Sequence, residues 1–262
     1  MKKIFLFLAF VSTVLVANAW TNNCEEGIVI MAVKHLEPKA KAVVDRYLGA
    51  KYSDDIHYLY NLESKKKSQQ PKENHFVHFD ENMQPMQIED DALVALEKAL
   101  AVVANYQNSS DEEMKAALRT VINLMSDIHN LSHYRFASIP YSQGAHKFSR
   151  RSYDYGEKQN EISTVVWSKM WSNFSKRYSG FSSEFWAYEM NIGASKKKEE
   201  YSNGTLRDWV AENGEIAASY LTICTPDYVM PPFDFHSLEE VNYGMMARAS
   251  FRLAAVLNAT IK

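Results

Sequence analysis

The segment NLMSDIHNLSH carries the side chains of this sequence that are best suited to chemistry. Asn123 and Asp127 are one helical turn apart, so on a helix they share a face. His133 follows just after the predicted end of that helix. A carboxylate and an imidazole placed in this way can ligate a metal ion. The same arrangement is typical of a hydrogen-bonding cluster at a helix end, so the pattern alone leaves both interpretations open.

Two upstream segments offer further donor side chains. The segment ENHFVHFDEN places His75 and His78 three positions apart. The segment YSDDIH contains two carboxylates and one imidazole: Asp54, Asp55 and His57. Histidine pairs at the edge of a strand are usually structural, so these segments do not identify a site by themselves.

The start of the chain has the pattern of an export signal. Two lysines, an apolar run and an A-x-A pattern follow one another at residues 2–3, 4–16 and 17–19. The apolar run is too short to span a bilayer comfortably, and A-x-A is the pattern that signal peptidase cleaves. We therefore predict a signal peptide over residues 1–19 and a periplasmic or secreted domain over residues 20–262. Cleavage there would leave Trp20 with a free α-amino group.

The composition is that of a soluble globular protein. The chain is 46% hydrophobic with a formal net charge of −3, which allows one large core and provides no bulk positive field for nucleic acid. No second long apolar run follows residue 31, so we expect no transmembrane segment, and we expect a monomer. In an oxidising compartment Cys24 and Cys224 either form one disulfide or remain two buried thiols, because spacing alone does not show proximity.

Helical periodicity dominates the rest of the chain. It predicts one helix up to Lys34, a second one between Pro38 and Gly49, and others over residues 88–106, 109–129, 205–223 and 237–262. The candidate strands are HFVHF and ISTVVW. The lysine-bearing segments ESKKKSQQPKEN and GASKKKEEYSNG are predicted to be solvated loops. The predicted fold class is all-α with a single domain.

Two of these helices have capping signals. Ser110 and Glu113 form a capping box at the start of the helix that carries Asp127. Ser237 and Glu240 are the corresponding pair at the predicted start of the last helix. These signals set the expected beginnings of the two helices.

In chain order, several segments resemble the S-one/P-one type zinc nucleases, the secreted single-strand nucleases related to the zinc-dependent phospholipase C. The segments are WTNNCEEGIVIMAVKHLEPKAKAVVDRYLG, SDD, NHFVHF, SDIHNLSH and VVWS. The resemblance covers almost the whole of residues 20–262 and implies the single-domain helical fold of that family. In the family the N-terminal Trp ligates zinc through its amine and carbonyl, which would explain why the predicted cleavage site precedes Trp20.

The resemblance also implies a set of metal ligands, of which this sequence keeps a part. The family holds three zinc ions with nine ligand residues. The matching positions are Trp20, Asp54 (with Asp55 as the alternative), His75, Asp127 and His133. The other four ligand positions carry Glu25, Asn123, Thr164 and Ser168. Glutamate can ligate zinc and asparagine suits harder cations, so Glu25 and Asn123 remain candidate ligands.

Other matched positions bear on substrate and catalysis. An aromatic residue follows the matching histidine, Phe76, which is either a nucleobase-stacking residue or a core side chain. An Arg and an Asp of the family are replaced by His57 and His78. The sequence therefore identifies no catalytic residue.

The incomplete ligand set predicts zero to two zinc ions instead of three. Two-metal hydrolysis needs more than one ion, so we expect phosphodiester hydrolysis to be weak or absent. The first hypothesis is an exported pseudo-nuclease that binds an unknown ligand. The alternative is an active, divergent metal-dependent endonuclease, 3′-nucleotidase or phosphoesterase that uses one or two metals and acts on single-stranded nucleic acid, a nucleotide or another phosphoester.

Overall fold

Helices form most of the structure, a computed structural model that describes residues 20–48, 75–142, 146–151, 161–176 and 180–262. They are α1 (Asn22–Val33), α2 (Pro38–Leu48), α3 (Ala92–Ala104), α4 (Asp111–Asp127), α5 (Trp167–Lys176), α6 (Ser183–Ala194), α7 (Lys198–Ser202), α8 (Leu206–Ile223) and α9 (Pro232–Thr260). Short 3-10 helices occupy Leu131–His133, Pro140–Ser142 and Ser195–Lys197. The predicted mainly helical class is confirmed. The predicted signal peptide lies outside the described residues.

Short strands form two small sheets. They are β1 (Val77–Phe79), β2 (Tyr134–Phe136), β3 (Lys147–Arg151), β4 (Ile162–Val166) and β5 (Val229–Met230). β1 pairs with β2 in parallel, while β3 lies between antiparallel β4 and parallel β5. The two predicted strand segments contain β1 and β4. β2 and β5 are too short for an alternating pattern to indicate them, and β3, with the sequence KFSRR, has a single apolar residue.

Local capping explains where several helices begin. Ser110 accepts a hydrogen bond from the Glu113 amide at 3.3 Å and its own amide donates to Glu113 at 2.8 Å, so the predicted capping box of α4 is confirmed. Asp91 caps α3 by accepting from the Leu93 amide at 2.8 Å. α2 begins at Pro38, where the fixed φ of proline suits a first helical turn.

Two predictions of local structure are wrong. α9 begins at Pro232 and not at Ser237, because a proline in the first turn starts the helix after the extended residue Pro231. Inside that helix the Ser237 hydroxyl donates to the carbonyl of Phe233. The segment GASKKKEEYSNG is not simply a loop, since it contains the end of α6, a 3-10 helix and α7. The buried side chain of Tyr201 anchors α7 to the core.

α9 organises the core. It packs against α1, α4, α6 and α7, among others. α1 also packs closely on α6, and a Cβ at Gly27 would lie only 2.9 Å from the Cβ of Trp186. Of the helices in the described ranges, none combines the length and the apolar character needed to cross a membrane.

A buried arginine joins α7, α8 and α9 to the turn after α4. Arg252 is only 2% exposed. Its Nε donates to the carbonyl of Tyr201 at 2.8 Å, and its guanidinium pairs with the carboxylate of Glu212. Its Nη1 lies 3.3 Å from both His129 Nε2 and Asn213 Oδ1. The charge is therefore paired and hydrogen-bonded, as burial requires.

The tautomer of His129 follows from this cluster. Its Nδ1 lies 2.7 Å from the carbonyl of Met125, to which it donates. Burial, and then the positive charge of Arg252, hold the pKa of His129 well below its ordinary value. His129 is therefore neutral, and its Nε2 accepts from Arg252. This histidine belongs to the core and not to a ligand site.

α8 packs directly on the β1–β2 pair through a glycine. A Cβ at Gly214 would overlap the Cζ atom of Phe79 and lie 2.8 Å from its Cε1. The Phe79 ring in turn packs against Phe136 and Tyr134, with centroids 5.3 and 5.9 Å apart. The ring of Phe79 can hold its position only because α8 has no side chain there.

We expect Gly214→Ala to destabilise the protein by about 1–3 kcal/mol, because the added methyl group displaces Phe79 from a packed cluster. Chemical denaturation followed by circular dichroism measures this change. Gly193→Ala in α6 is the control, since its Cβ would meet the Tyr243 hydroxyl at an ordinary 3.5 Å. Equal stabilities of the two variants would contradict the close approach of α8 and β1.

Candidate functional site

The parallel pairing of β1 with β2 brings two histidines together. Val77 is opposite Tyr134, so the residues that precede the two strands lie side by side. These are His75 and Phe76 before β1 and His133 before β2. The ring centroids of His75 and His133 are 6.4 Å apart, and those of Phe76 and His133 are 5.5 Å apart. Two segments that the sequence indicated separately therefore meet in the structure.

Asp127 lies between these two imidazoles. Its Oδ2 is 2.6 Å from Nδ1 of His75, and its Oδ1 is 3.7 Å from Nδ1 of His133. Asp127 is only 1% exposed, so a charge on it must be balanced by protein groups in place of water. An ionised carboxylate only accepts hydrogen bonds. Nδ1 of His75 therefore donates, and in the neutral ring Nε2 carries the lone pair.

The turn after α4 positions His133 next to Asp127. α4 ends at Asp127, and Asn130 then accepts a hydrogen bond from the Ser132 amide at 2.9 Å. The His133 amide donates to the carbonyl of Asn130 at 2.9 Å, which closes the 3-10 helix. This reversal returns the chain towards the helix end. The prediction that His133 follows just past the helix is confirmed.

Arg135 is a charged residue of this region that the sequence analysis missed. Its guanidinium carbon lies 4.1 Å from the ring centroid of Phe76, within the range of a cation–π contact. Its Nη1 donates to the carbonyls of Ser132 and Tyr134 at 2.7 and 3.0 Å. Burial lowers the pKa of Arg135 to about 10, so it remains mostly charged at neutral pH. β2 has only three residues, so no sequence pattern indicates Arg135.

Phe76 is partly buried between two neighbours. Arg135 covers one of its faces and His133 meets it edge to face, at an interplanar angle of 65°. The ring therefore already packs within the site. Its role as a nucleobase-stacking residue remains a prediction.

A buried amide with an unsatisfied atom lies one turn before Asp127. Asn123 is buried in α4, and its Nδ2 has no hydrogen-bond partner among the residues that the structure describes. The same holds for Oγ of Ser126. An unsatisfied buried polar atom costs about 1–3 kcal/mol, and a missing water, ion or ligand is a common explanation. The last turn of α4 therefore contains buried polar atoms that lack a hydrogen-bond partner among the described residues.

The indole of Trp20 is hydrogen-bonded to α9, and its backbone nitrogen lies near a carboxylate. Its indole Nε1 donates to Oδ1 of Asn242 in α9 at 2.7 Å. Its backbone nitrogen lies 3.5 Å from Oε1 of Glu25, which is only 4% exposed in the first turn of α1. The positive end of the helix dipole favours a carboxylate there. Cleavage before Trp20 would place an α-amino group opposite this carboxylate.

The remaining aligned positions lie on β4 and α5. Thr164 is exposed and pairs with Ser149 across the β3–β4 ladder. Ser168 follows the buried Trp167 in the first turn of α5. α5 packs against the 3-10 helix that carries His133. The segment that supplies a His and an Asp ligand in the family is therefore near His133 here, with residues that do not replace those ligands.

His78 has a different role from His75. Its amide and its Nδ1 lie 2.8 and 3.1 Å from Oδ2 of Asp91, the fully buried cap of α3. The two histidines therefore have different partners: His75 contacts Asp127, and His78 contacts Asp91. His78 supports the start of a helix.

The disulfide that the sequence left open between Cys24 and Cys224 is not formed in the structure, in which both residues are buried thiols. The Cys24 sulfur accepts a hydrogen bond from the Thr21 hydroxyl at 3.2 Å. Cys224 ends α8, where burial raises the pKa of its thiol to about 12.

The described residues bring together part of the predicted metal-ligand set. His75, Asp127 and His133 meet, while Asp54 and its alternative Asp55 lie outside the described residues. Over the ranges that the structure describes, no group of three or more His, Cys, Asp or Glu side chains is arranged as a metal site. The metal-ligand prediction therefore stays a prediction.

The donor atoms at Asp127 fit a divalent cation in type. Two ligand atoms of one tetrahedral zinc lie about 3.4 Å apart. The 3.7 Å between His133 Nδ1 and Asp127 Oδ1 allows an ion between them. The 2.6 Å contact with His75 is a hydrogen bond and would have to open, or His75 would have to ligate through Nε2.

Comparison of the sequence with models of known protein families gives no match, and comparison with curated proteins gives no significant match.

We expect His75 and Asp127 to be energetically coupled and His78 and Asp127 to be independent. In a double-mutant cycle without metal, His75→Ala and Asp127→Ala should show a coupling energy of about 1–2 kcal/mol in urea denaturation. The matched cycle with His78→Ala should be additive within about 0.5 kcal/mol, because His78 pairs with Asp91. Coupling to both histidines, or to His78 alone, would contradict the division of the pair.

Proposed function

We propose that this protein is an exported, divergent relative of the S-one/P-one type zinc nucleases that binds a phosphoester ligand and hydrolyses it weakly or not at all. The observation that carries the proposal is the position of Asp127 between His75 and His133. All three match metal-ligand positions of that family. Their convergence from distant segments supports the alignment on which the resemblance depends.

The architecture supports the finer assignment of the fold to the zinc nuclease and phospholipase C family. The segments that carry the resemblance include the predicted helix pair at residues 25–49, the His75 segment, the segment of Asp127 and His133, and the C-terminal helix. α1 and α2, the His75 segment, α4 and α9 follow that order. We propose the family fold on this order of elements together with the position of Trp20 against α9.

The residues around Asp127 suit an anionic ligand that carries phosphate. His75 and His133 can hold or move protons beside the Asp127 carboxylate. Arg135 adds a fixed positive charge next to Phe76. A divalent cation held by His75, Asp127 and His133 would supply further positive charge against a phosphoester oxygen. Together these groups favour binding of a phosphate over binding of a neutral ligand.

The replaced positions are the reason for proposing reduced hydrolysis. Thr164 and Ser168 cannot replace a histidine and a carboxylate, so the residues beside His133 would not hold a third ion. Asn123 provides an amide in place of an imidazole. Glu25, opposite the Trp20 nitrogen, is the substitution that retains a group able to ligate zinc, while Asn123 suits harder cations. A site with one or two cations therefore follows from the residues present.

One observation favours the alternative, an active phosphoesterase with one or two metals. Two imidazoles and one carboxylate are the donor types that hydrolytic single-zinc sites use, and His75, His133 and Asp127 are of these types. The unsatisfied amide of Asn123 leaves a polar group available to a ligand or water nearby. Slow hydrolysis of a phosphodiester is the activity that this arrangement would support.

We expect the protein secreted and cleaved before Trp20 to bind between zero and two zinc ions per chain. Equilibrium dialysis followed by elemental analysis measures the number, and intact mass establishes the N-terminus. Asp127→Ala should lose the most zinc and His78→Ala should lose none, because only Asp127 lies between two candidate ligands. A Gly-Ser extension before Trp20 should weaken binding, since it converts the amine to an amide. Three tightly bound zinc ions, or an N-terminus other than Trp20, would contradict the proposal.

A second prediction restores the missing ligands. The repaired variant combines Glu25→His, Asn123→His, Thr164→His and Ser168→Asp. We expect it to bind more zinc and to cleave single-stranded DNA faster than the unmodified protein, while each single change has little effect because the ions act together. Recovery should be partial, since His57 and His78 still replace an Arg and an Asp. A folded repaired variant without extra zinc would show that these positions do not form one site, and strong nuclease activity of the unmodified protein would favour the alternative.

A further inference from the structure

Arg135 is a buried arginine that pairs with no carboxylate in the part of the chain that the structure describes. It is only 7% exposed, and its hydrogen-bond partners there are two backbone carbonyls. Arg252, which is also deeply buried, differs because the carboxylate of Glu212 balances its charge. Removing a charge from water is costly, so arginine is seldom buried without an anionic partner. A bound anion would supply the partner that Arg135 lacks.

One edge of the Arg135 guanidinium is not used by the fold. Its Nη1 donates to the carbonyls of Ser132 and Tyr134 at 2.7 and 3.0 Å, which engages both hydrogens of that atom. Nε and Nη2 have no hydrogen-bond partner among the described residues. Arg135 is not among the residues with a fully buried, unsatisfied polar atom, so these two donors reach solvent. Together they form a fork that matches two oxygens of one oxyanion.

Phe76 holds this fork beside the candidate site. The guanidinium carbon of Arg135 lies over the Phe76 ring, 4.1 Å from its centroid. A contact through the face of the guanidinium leaves its edges open to a further partner. The Phe76 ring also meets His133, at a centroid distance of 5.5 Å, and His133 Nδ1 lies 3.7 Å from Asp127 Oδ1. The fork and the Asp127 carboxylate therefore belong to one region of the molecule.

The number of free oxygens on a ligand decides which class uses this arrangement fully. A carboxylate or a phosphodiester has two free oxygens, and the Arg135 fork engages both of them. A phosphomonoester has three, so one oxygen remains for the groups around Asp127. It also carries up to two negative charges, since the second pKa of a phosphate ester is about 6. Phosphomonoesters are therefore the class that both parts of the region can bind together.

We propose that Arg135 binds the terminal phosphate of a phosphomonoester through Nε and Nη2, and that this contact makes the protein prefer monoesters to diesters. The inference rests on the proposed function, in which a phosphoester lies at Asp127. It adds a specificity residue that needs no metal, because both donors belong to the chain. Phe76 serves in it as the support of the guanidinium.

The experiment compares methyl phosphate with dimethyl phosphate, which has one free oxygen less. Isothermal titration calorimetry uses the exported protein in EDTA at about pH 8, which separates the result from metal binding. We expect saturable binding of methyl phosphate, at least about fivefold tighter than that of dimethyl phosphate, because the monoester offers more oxygens and more charge to the region. Absence of saturable binding, or equal affinity for both esters, would overturn the proposal.

Variants assign the preference to the fork. Arg135→Lys keeps the positive charge but removes the paired donors, so it should weaken methyl phosphate about tenfold and bring the two affinities close together. Phe76→Leu keeps every donor and removes the support, so it should weaken methyl phosphate about threefold. The matched control is Arg150→Lys, because Arg150 is half-buried and lies 4.3 Å from the ring centroid of Phe235. It should change neither affinity. An unchanged affinity ratio in a folded Arg135→Lys variant would refute the role of the fork.

A parallel titration with zinc separates this inference from the proposed function. Methyl phosphate binding that appears only with zinc, and that Arg135→Lys leaves unchanged, would overturn the role of Arg135 and retain the proposed function. Binding in EDTA that depends on Arg135 and is unaffected by zinc would support the fork and count against a metal at Asp127. Absence of binding for both esters, with and without zinc, would overturn both.

Discussion

The pairing of β1 with β2 is the constraint on which the rest of the candidate site depends. Segments far apart in the chain are joined there by a ladder of three residues on each side, Val77–Phe79 and Tyr134–Phe136. A shift of one residue would turn the side chains of one strand to the opposite face and would separate His75 from Asp127. The ring of Phe79 opposes such a shift, because it fits only where Gly214 leaves space on α8.

The sequence predicts the helices better than it predicts the assembly of the site. The capping box at Ser110 sets the start of α4, and helical periodicity predicts a helix that contains Asp127, since these signals are local. Nothing local indicates that His75 and not His78 meets Asp127, because that choice depends on pairing across a long stretch of chain. Arg135 is missed for a different reason: β2 has only three residues, which is too short for a strand to be recognised from the sequence. The start of α9 at Pro232, in contrast, follows a local proline signal.

Buried polar groups serve two different purposes in this molecule. Arg252 has a carboxylate, a carbonyl, an amide oxygen and an imidazole around it, so its charge is compensated within the protein. Such a group fixes the relative positions of the helices that it joins. Asn123, in contrast, retains an unsatisfied buried amide nitrogen in the part of the chain that the structure describes. A difference of this kind separates a region built for rigidity from one suited to an added ligand.

The anchoring of Trp20 has a consequence for when the proposed site becomes complete. Chain ends usually fray, but the indole of this residue is buried and hydrogen-bonded to Asn242 of α9. Under the proposed cleavage, the new amine would be held in place at once, opposite Glu25. In the uncleaved precursor, the backbone nitrogen of Trp20 would be part of an amide and not an amine. Passage through the export machinery would then act as the maturation step, and the protein would acquire its final metal-binding group only in the compartment where it works.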